Sequence, residues 1–212
     1  PSRTGLEWCP DGNPALDATA TTASLICNLK TKGASGRPFL FGDIMLSYTE
    51  LLELVNDKVI TGLESIDQVQ GSSIDVRLGN IIHREMEGDH IIVLRDRQAM
   101  KMESVVLDLV HNPYYDLKPK EFILTHTVEM FNMPDDVSAT FHLKSTSARS
   151  AIGHLLAVHI DPGFNNSVLT LEIENVSNHH TVRLHWFDMI GQIIFWRHKK
   201  VPPKASYRGK GH

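Results

Sequence analysis

Hydrophobic positions recur along this chain with two different periods, and the change between them divides it. In "SYTELLELVNDKVI", residues 47–60, Leu51, Leu52, Leu54, Val55 and Val59 follow the spacing that gathers apolar side chains on one face of a helix. Ser47, with Glu50 three residues later, adds a capping box, so the pattern predicts a helix here. From Ser72 onward the period shortens to aliphatic and β-branched runs separated by Gly, Asn, Asp and Pro. These are "SSIDVRLGN" (72–80), "HIIVLR" (90–95), "SVVLDLV" (104–110), "EFILTHTVEMFNMP" (121–134), "SATFHLK" (138–144), "LLAVHIDPG" (155–163), "SVLTLEIEN" (167–175), "TVRLHWF" (181–187) and "IGQIIFWRH" (190–198). Repeated short strands with turn residues between them predict an all-β barrel or double-sheet fold with one or two short helices. Residues 1–36 show no sustained period and read as an N-terminal extension.

Composition narrows the function classes. The 212 residues are 42% hydrophobic and carry both charge signs, enough for one core plus an appendage. A formal charge of −4 argues against an extended nucleic-acid surface, so any anion site must be a local pocket. No run reaches the roughly 18 apolar residues of a membrane span. The opening residues, with Arg3 and Glu7, do not read as a signal peptide, and a cytoplasmic protein is expected. Two cysteines, Cys9 and Cys27, make no Cys-x-x-Cys pair and too few thiols for a disulfide framework. Twelve histidines are mostly solitary, which argues against a structural zinc site.

Two segments carry candidate chemistry. In "KSTSAR" (144–149) Lys144 and Arg149 supply positive charge, and Ser145, Thr146 and Ser147 supply hydroxyls beside backbone N–H groups, a set suited to phosphate oxygens. One helical turn would stack Ser145 and Arg149 on the same side. In the strand that follows, period two puts Leu169, Leu171 and Ile173 on one face and Val168, Thr170, Glu172 and Glu174 on the other. By itself each glutamate reads as an ordinary exposed side chain, and the basic segment as a capped turn.

Taken together, "QGSSIDVRLG" (70–79), "EFILTHTVEMFNMPDDVSATFHLKSTSAR" (121–149), "HIDPGFNNSVLTLEIEN" (159–175), "IGQIIF" (190–195) and "SYRGKG" (206–211) resemble the dCTP deaminase branch of the dUTPase superfamily, in that family's order. The resemblance implies a distorted β-barrel of the trimeric dUTPase type over residues 37–205 and a C-terminal lid at 206–212. It implies a homotrimer whose active sites form between neighbouring subunits. Glu172 would then be the general acid/base that activates water to attack C4 of cytosine, converting dCTP to dUTP and ammonia. Ser145 and Arg149 would orient that water, hold Glu172 ionised and contact phosphate. Lys144, Thr146, Ser147 and Ala148 would complete the phosphate cradle, and Asp161 would bind the deoxyribose 3′-hydroxyl. The Ala157 carbonyl would accept from the nucleophilic water, the backbone of Thr170 and Leu171 would read the base edge, and Tyr207 and Lys210 would belong to the lid. Magnesium would enter with the substrate phosphates.

The chain departs from the family pattern in three places. Lys144 stands where arginine is usual, the stretch from Asp161 to Glu172 is one residue longer, and the stretch after Arg149 is about one shorter. Zinc-dependent cytidine deaminases, a separate class, need His-x-Glu and Pro-Cys-x-x-Cys; "HRE" (83–85) supplies the first, but no cysteine follows Cys27. Deamination would therefore run without zinc. Rival readings are a dUTPase or bifunctional enzyme giving dUMP and pyrophosphate, and an inert nucleotide-sensing scaffold. Preference for dCTP or dCMP and feedback by dTTP stay open.

Overall fold

The computed structural model describes residues 44–89, 91–96, 100–155 and 157–209. The expected N-terminal extension, both cysteines and Lys210 lie outside the described residues. Among those described, the elements in chain order are β1 (Ile44–Met45), α1 (Tyr48–Asn56), β2 (Ile60–Thr61), β3 (Ile74–Arg77), β4 (Ile81–Glu85), β5 (Met102–Val106), β6 (Tyr114–Leu117), β7 (Phe122–Asn132), β8 (Val137–Leu143), α2 (Ser145–Arg149), β9 (Ile152–His154), β10 (His159–Ile160), β11 (Asn165–Asn175), β12 (Val182–His185) and β13 (Met189–Arg197).

Two antiparallel sheets carry the fold. One runs β1-β13-β8-β10 with β3 also on β13; the other runs β5-β4-β7-β11-β9 with β2 also on β7; β6 and β12 form a separate ribbon. Leu78, between β3 and β4, bridges Thr127 of β7, so this stretch of chain passes from one sheet into the other. Both sheets turn their apolar faces into one core, where Ile74, Phe141, Ile193 and Phe195 of the first are buried with Ile123, Phe131, Leu171 and Ile173 of the second. The result is the expected distorted all-β architecture with two short helices, its sheets not closed into a continuous ladder among the described residues.

α1 forms where the apolar period placed it. Leu51 and Leu54 are buried beneath it, and the Ser47 N–H donates to the Glu50 carboxylate at 2.9 Å, satisfying an N-terminal donor. The strand expected at 90–95 is absent among the described residues of that run, 91–95. β4 and β5 already close their hairpin at Glu85 and Met102, so the apolar run lies in the connecting loop, with Ile91 exposed and Leu94–Asp96 in a 3₁₀ turn. β-propensity without a paired partner strand makes no strand. None of the helices is long and apolar enough to cross a membrane among the described residues.

Candidate active site

The basic segment leaves β8 at Leu143. Lys144 is extended (φ −66°, ψ 144°) and caps α2, whose first turn accepts the Ala148 N–H on the Lys144 carbonyl at 3.0 Å. Ser145, Thr146, Ala148 and Arg149 are exposed and Ser147 is half-buried, so hydroxyls, guanidinium and helix-start N–H groups face outward together. Lys144 turns the other way. Its ammonium donates to Asp75 Oδ2 of β3 at 2.5 Å. The other Asp75 oxygen, Oδ1, is buried without a hydrogen-bond partner. A lysine committed to a buried carboxylate is a tether first and a phosphate contact second, a role the sequence did not suggest.

β11 reproduces the period-two pattern, with Leu169, Leu171 and Ile173 buried and Thr170 exposed. Glu172, however, does not end in solvent. Its side chain is 25% exposed and Oε2 lies 3.3 Å from Nε2 of His154, whose own side chain is 4% exposed. His154 sits on β9 opposite Ile173 and packs against the Phe141 ring at 4.8 Å. Burial pushes the Glu172 carboxyl above its ordinary range, because the charged form is desolvated, and pushes His154 below its own. Both shifts favour uncharged groups. The pair therefore sets an imidazole and a carboxyl, each shifted by burial toward its uncharged form, 3.3 Å apart.

The strand register is irregular just before Thr170. Val168 pairs with Met130 but Thr170 pairs with His126, so Thr127, Val128 and Glu129 oppose Leu169 alone. In this bulge the Leu169 N–H donates to Thr127 Oγ1 at 3.0 Å. Glu129, fully buried, locks the bulge from beneath: it accepts from the Arg77 N–H at 2.8 Å, from Arg77 Nε at 2.9 Å and from Gln68 Nε2 at 3.0 Å. Leu171, whose backbone was expected to share the base edge, is buried by its side chain.

After β10 the chain turns through Asp161-Pro162-Gly163-Phe164. Asp161 is half-buried, with His159 Nε2 at 3.4 Å from Oδ1, and its carbonyl accepts the Phe164 N–H at 3.1 Å. Tyr207 lies on this turn: its N–H donates to the Pro162 carbonyl at 2.8 Å and its ring meets Phe164 edge-on at 5.2 Å. Ala157 is exposed in the link between β9 and β10, where the Leu155 N–H donates to the Glu172 carbonyl at 3.1 Å.

Three groupings thus stand on one chain: Lys144–Arg149 with Asp75, Glu172 with His154, and Asp161 with Tyr207. Among the described residues no hydrogen bond or ion pair of the chain joins Lys144–Arg149 to Glu172. A cavity beside Thr146, Ser147 and Ser150 encloses 210 Å³, below the ~300–1,000 Å³ usual for a ligand pocket.

Residues 45–198 match the family model described as dCTP deaminase-like. The chain belongs to the dCTP deaminase-like family. A protein of Methanoregula boonei named "dCTP deaminase, dUMP-forming" is 34% identical over 148 residues, covering 67% of this chain and 78% of the relative. One of Methanospirillum hungatei with the same name is 36% identical over 155 residues, covering 67% and 77%. In fold the chain is similar to the crystal structure of 2'-deoxycytidine 5'-triphosphate deaminase from Agrobacterium tumefaciens, with a TM-score of 0.57, 20% identity and cover of 73% of this chain and 48% of that one. The alignment with that structure spans about half its length. The dCTP deaminase-like match runs from β1 to just beyond β13 and so contains Lys144–Arg149, His154, Asp161 and Glu172, while Tyr207 follows it.

Proposed function

We propose that this protein hydrolyses the C4–amino bond of dCTP, with Glu172 as the general acid/base. The observation that carries the reading is the buried Glu172 oxygen beside His154, on the same strand as the exposed Thr170. Water held between Glu172 and the Ala157 carbonyl bonds to C4, the C4–N bond breaks, and the two protons of that water end on ammonia and on uracil N3. Glu172 carries a proton between these positions, and the burial that raises its pKa above the ordinary carboxylate range favours the protonated form it must pass through. Arg149 and Ser145 orient the water and contact phosphate, Thr146, Ser147 and Ala148 line the triphosphate, and Asp161 with Tyr207 holds the deoxyribose. Lys144, tied to Asp75, contributes positive potential at the base of the cradle. Magnesium arrives with the triphosphate and the chemistry uses no zinc, because no cysteine follows Cys27 to complete the zinc-deaminase motif.

The site is assembled between subunits of a homotrimer. Supporting this, no hydrogen bond or ion pair among the described residues connects the phosphate segment to Glu172, and the adjoining 210 Å³ cavity is small for a nucleoside triphosphate, as expected of a site that a second surface completes. A cytosolic location accords with the scarcity of cysteine.

The relatives' name, "dCTP deaminase, dUMP-forming", favours a second reading in which the same protein carries dUTP on to dUMP and pyrophosphate. Ammonia release from dCTP, measured beside pyrophosphate release from dUTP, separates the cases. Ammonia alone fits a deaminase, both products fit the dUMP-forming reaction, and neither product refutes the proposal in favour of an inert nucleotide-binding protein.

A further inference from the structure

Among the described residues of the C-terminal segment Ser206 is the most deeply buried, at 3% exposure, although Pro202–Ala205 before it are exposed. Its hydroxyl donates to Asp135 Oδ1 at 2.8 Å. The space it fills exists because residue 163 is glycine. A Cβ on Gly163 would lie 2.0 Å from Ser206 Oγ and 3.2 Å from the Tyr207 nitrogen, and φ of +81° there suits glycine as well. Around this contact the segment is held on both sides: the Val201 N–H donates to the Asp135 carbonyl at 2.9 Å, the Tyr207 N–H to the Pro162 carbonyl at 2.8 Å, and Arg208 Nη2 to Asn165 Oδ1 at 3.0 Å. Pro202 and Pro203 fix the approach into a 3₁₀ turn over Pro203–Ala205.

We propose that Ser206 is a positioning residue, a pin that seats the C-terminal segment in the slot above Gly163 so that Tyr207 stands on the Asp161 turn of its own chain before nucleotide binds. This rests on the reading of Asp161 and Tyr207 as deoxyribose contacts and adds that one chain supplies both. The ordering cost of bringing Tyr207 to the sugar is met on folding rather than on binding, which lowers KM without touching the bond-breaking step. Asp135 is the partner that makes the slot selective for a hydroxyl, since a buried serine without its acceptor is penalised.

The test uses the whole protein, free of nucleotide, with trypsin cleavage after Lys204 and Arg208 followed by mass spectrometry, beside steady-state kinetics on dCTP. Ser206→Ala is expected to speed both cleavages about 3–10-fold and to raise KM by a similar factor with kcat within about twofold, the scale of one lost hydrogen bond. Asp135→Ala should do the same, whereas Asp135→Asn, which keeps an acceptor oxygen, should stay close to the parent. Gly163→Ala, which fills the slot, should expose the segment even with Ser206 present. Unchanged cleavage in Ser206→Ala and Asp135→Ala overturns the proposal, as does a fall in kcat at constant KM. If dCTP is not a substrate at all, the cleavage pattern still decides whether Ser206 is the pin, and only the sugar-contact reading falls.

Discussion

Replacing Glu172 by glutamine keeps the shape of the side chain and removes its ability to carry a proton. Loss of a general acid/base costs typically 10²–10⁴-fold in kcat, or about 3–6 kcal/mol of transition-state stabilisation at ~1.4 kcal/mol per decade. The same change acts on stability in the opposite direction. Burial raises the Glu172 pKa in the folded state, so the folded protein carries a desolvation penalty that is absent when the carboxyl is protonated at low pH and grows as pH rises through the ordinary carboxylate range toward the raised pKa. An uncharged amide at this position escapes that penalty. Glu172→Gln is therefore expected to leave Tm at pH 7–8 equal to or above that of the parent, with the difference shrinking as pH falls toward 4.5, where an ordinary glutamate titrates. The assays are ammonia release from dCTP and thermal melts across that pH range. Near-normal turnover with an unchanged melt would show that another group carries the proton. A drop in activity that tracks a drop in Tm would show that Glu172 is a structural side chain.

Other perturbations probe separate parts of the account. Glu129→Ala removes the buried carboxylate that Arg77 Nε and the Arg77 N–H share, leaving the guanidinium only the exposed Glu64 and the Gly62 carbonyl, and should cost about 3–5 kcal/mol in urea denaturation; a loss below ~1 kcal/mol would mean the buried network does not hold the bulge. Activity should survive exhaustive zinc chelation and dialysis once magnesium is restored, and a loss that only zinc rescues would refute the metal-free chemistry. Arg149→Ala and Glu172→Gln chains, each inactive alone, should regain part of the activity when refolded together if each site draws on two subunits; a trimer by light scattering without rescue would place both groups in one chain.

The sequence made the local features legible and left the long-range ones hidden. α1 could be read because Ser47, Glu50 and the leucine spacing lie within one short window, and β11 because its alternation is uninterrupted. The run at 90–95 misled because strand formation depends on a partner strand, and the described residues of this run lie in the loop beyond the β4–β5 hairpin without one. β4 and β6 escaped notice because their residues are mixed in polarity and gain strand geometry only from β5, β7 and β12. Within the candidate site, the basic segment and Glu172 were visible as residue types. His154 was not, since its value comes from burial against Phe141 and proximity to Glu172, and the one available signal was its place in the stretch between Arg149 and Asp161. The tether from Lys144 to Asp75 spans 69 residues, and the bulge lock from Arg77 to Glu129 spans 52, separations at which no local pattern pairs them.

The central claim, hydrolytic attack at C4 of a deoxycytidine nucleotide, is tested most directly by running the reaction on dCTP in ¹⁸O-labelled water and weighing the base fragment of the product. The account predicts a uracil base carrying one ¹⁸O, formed together with one ammonia, and no such product with Glu172→Gln. Unaltered cytosine throughout, or ¹⁸O confined to a released phosphate group, would contradict it.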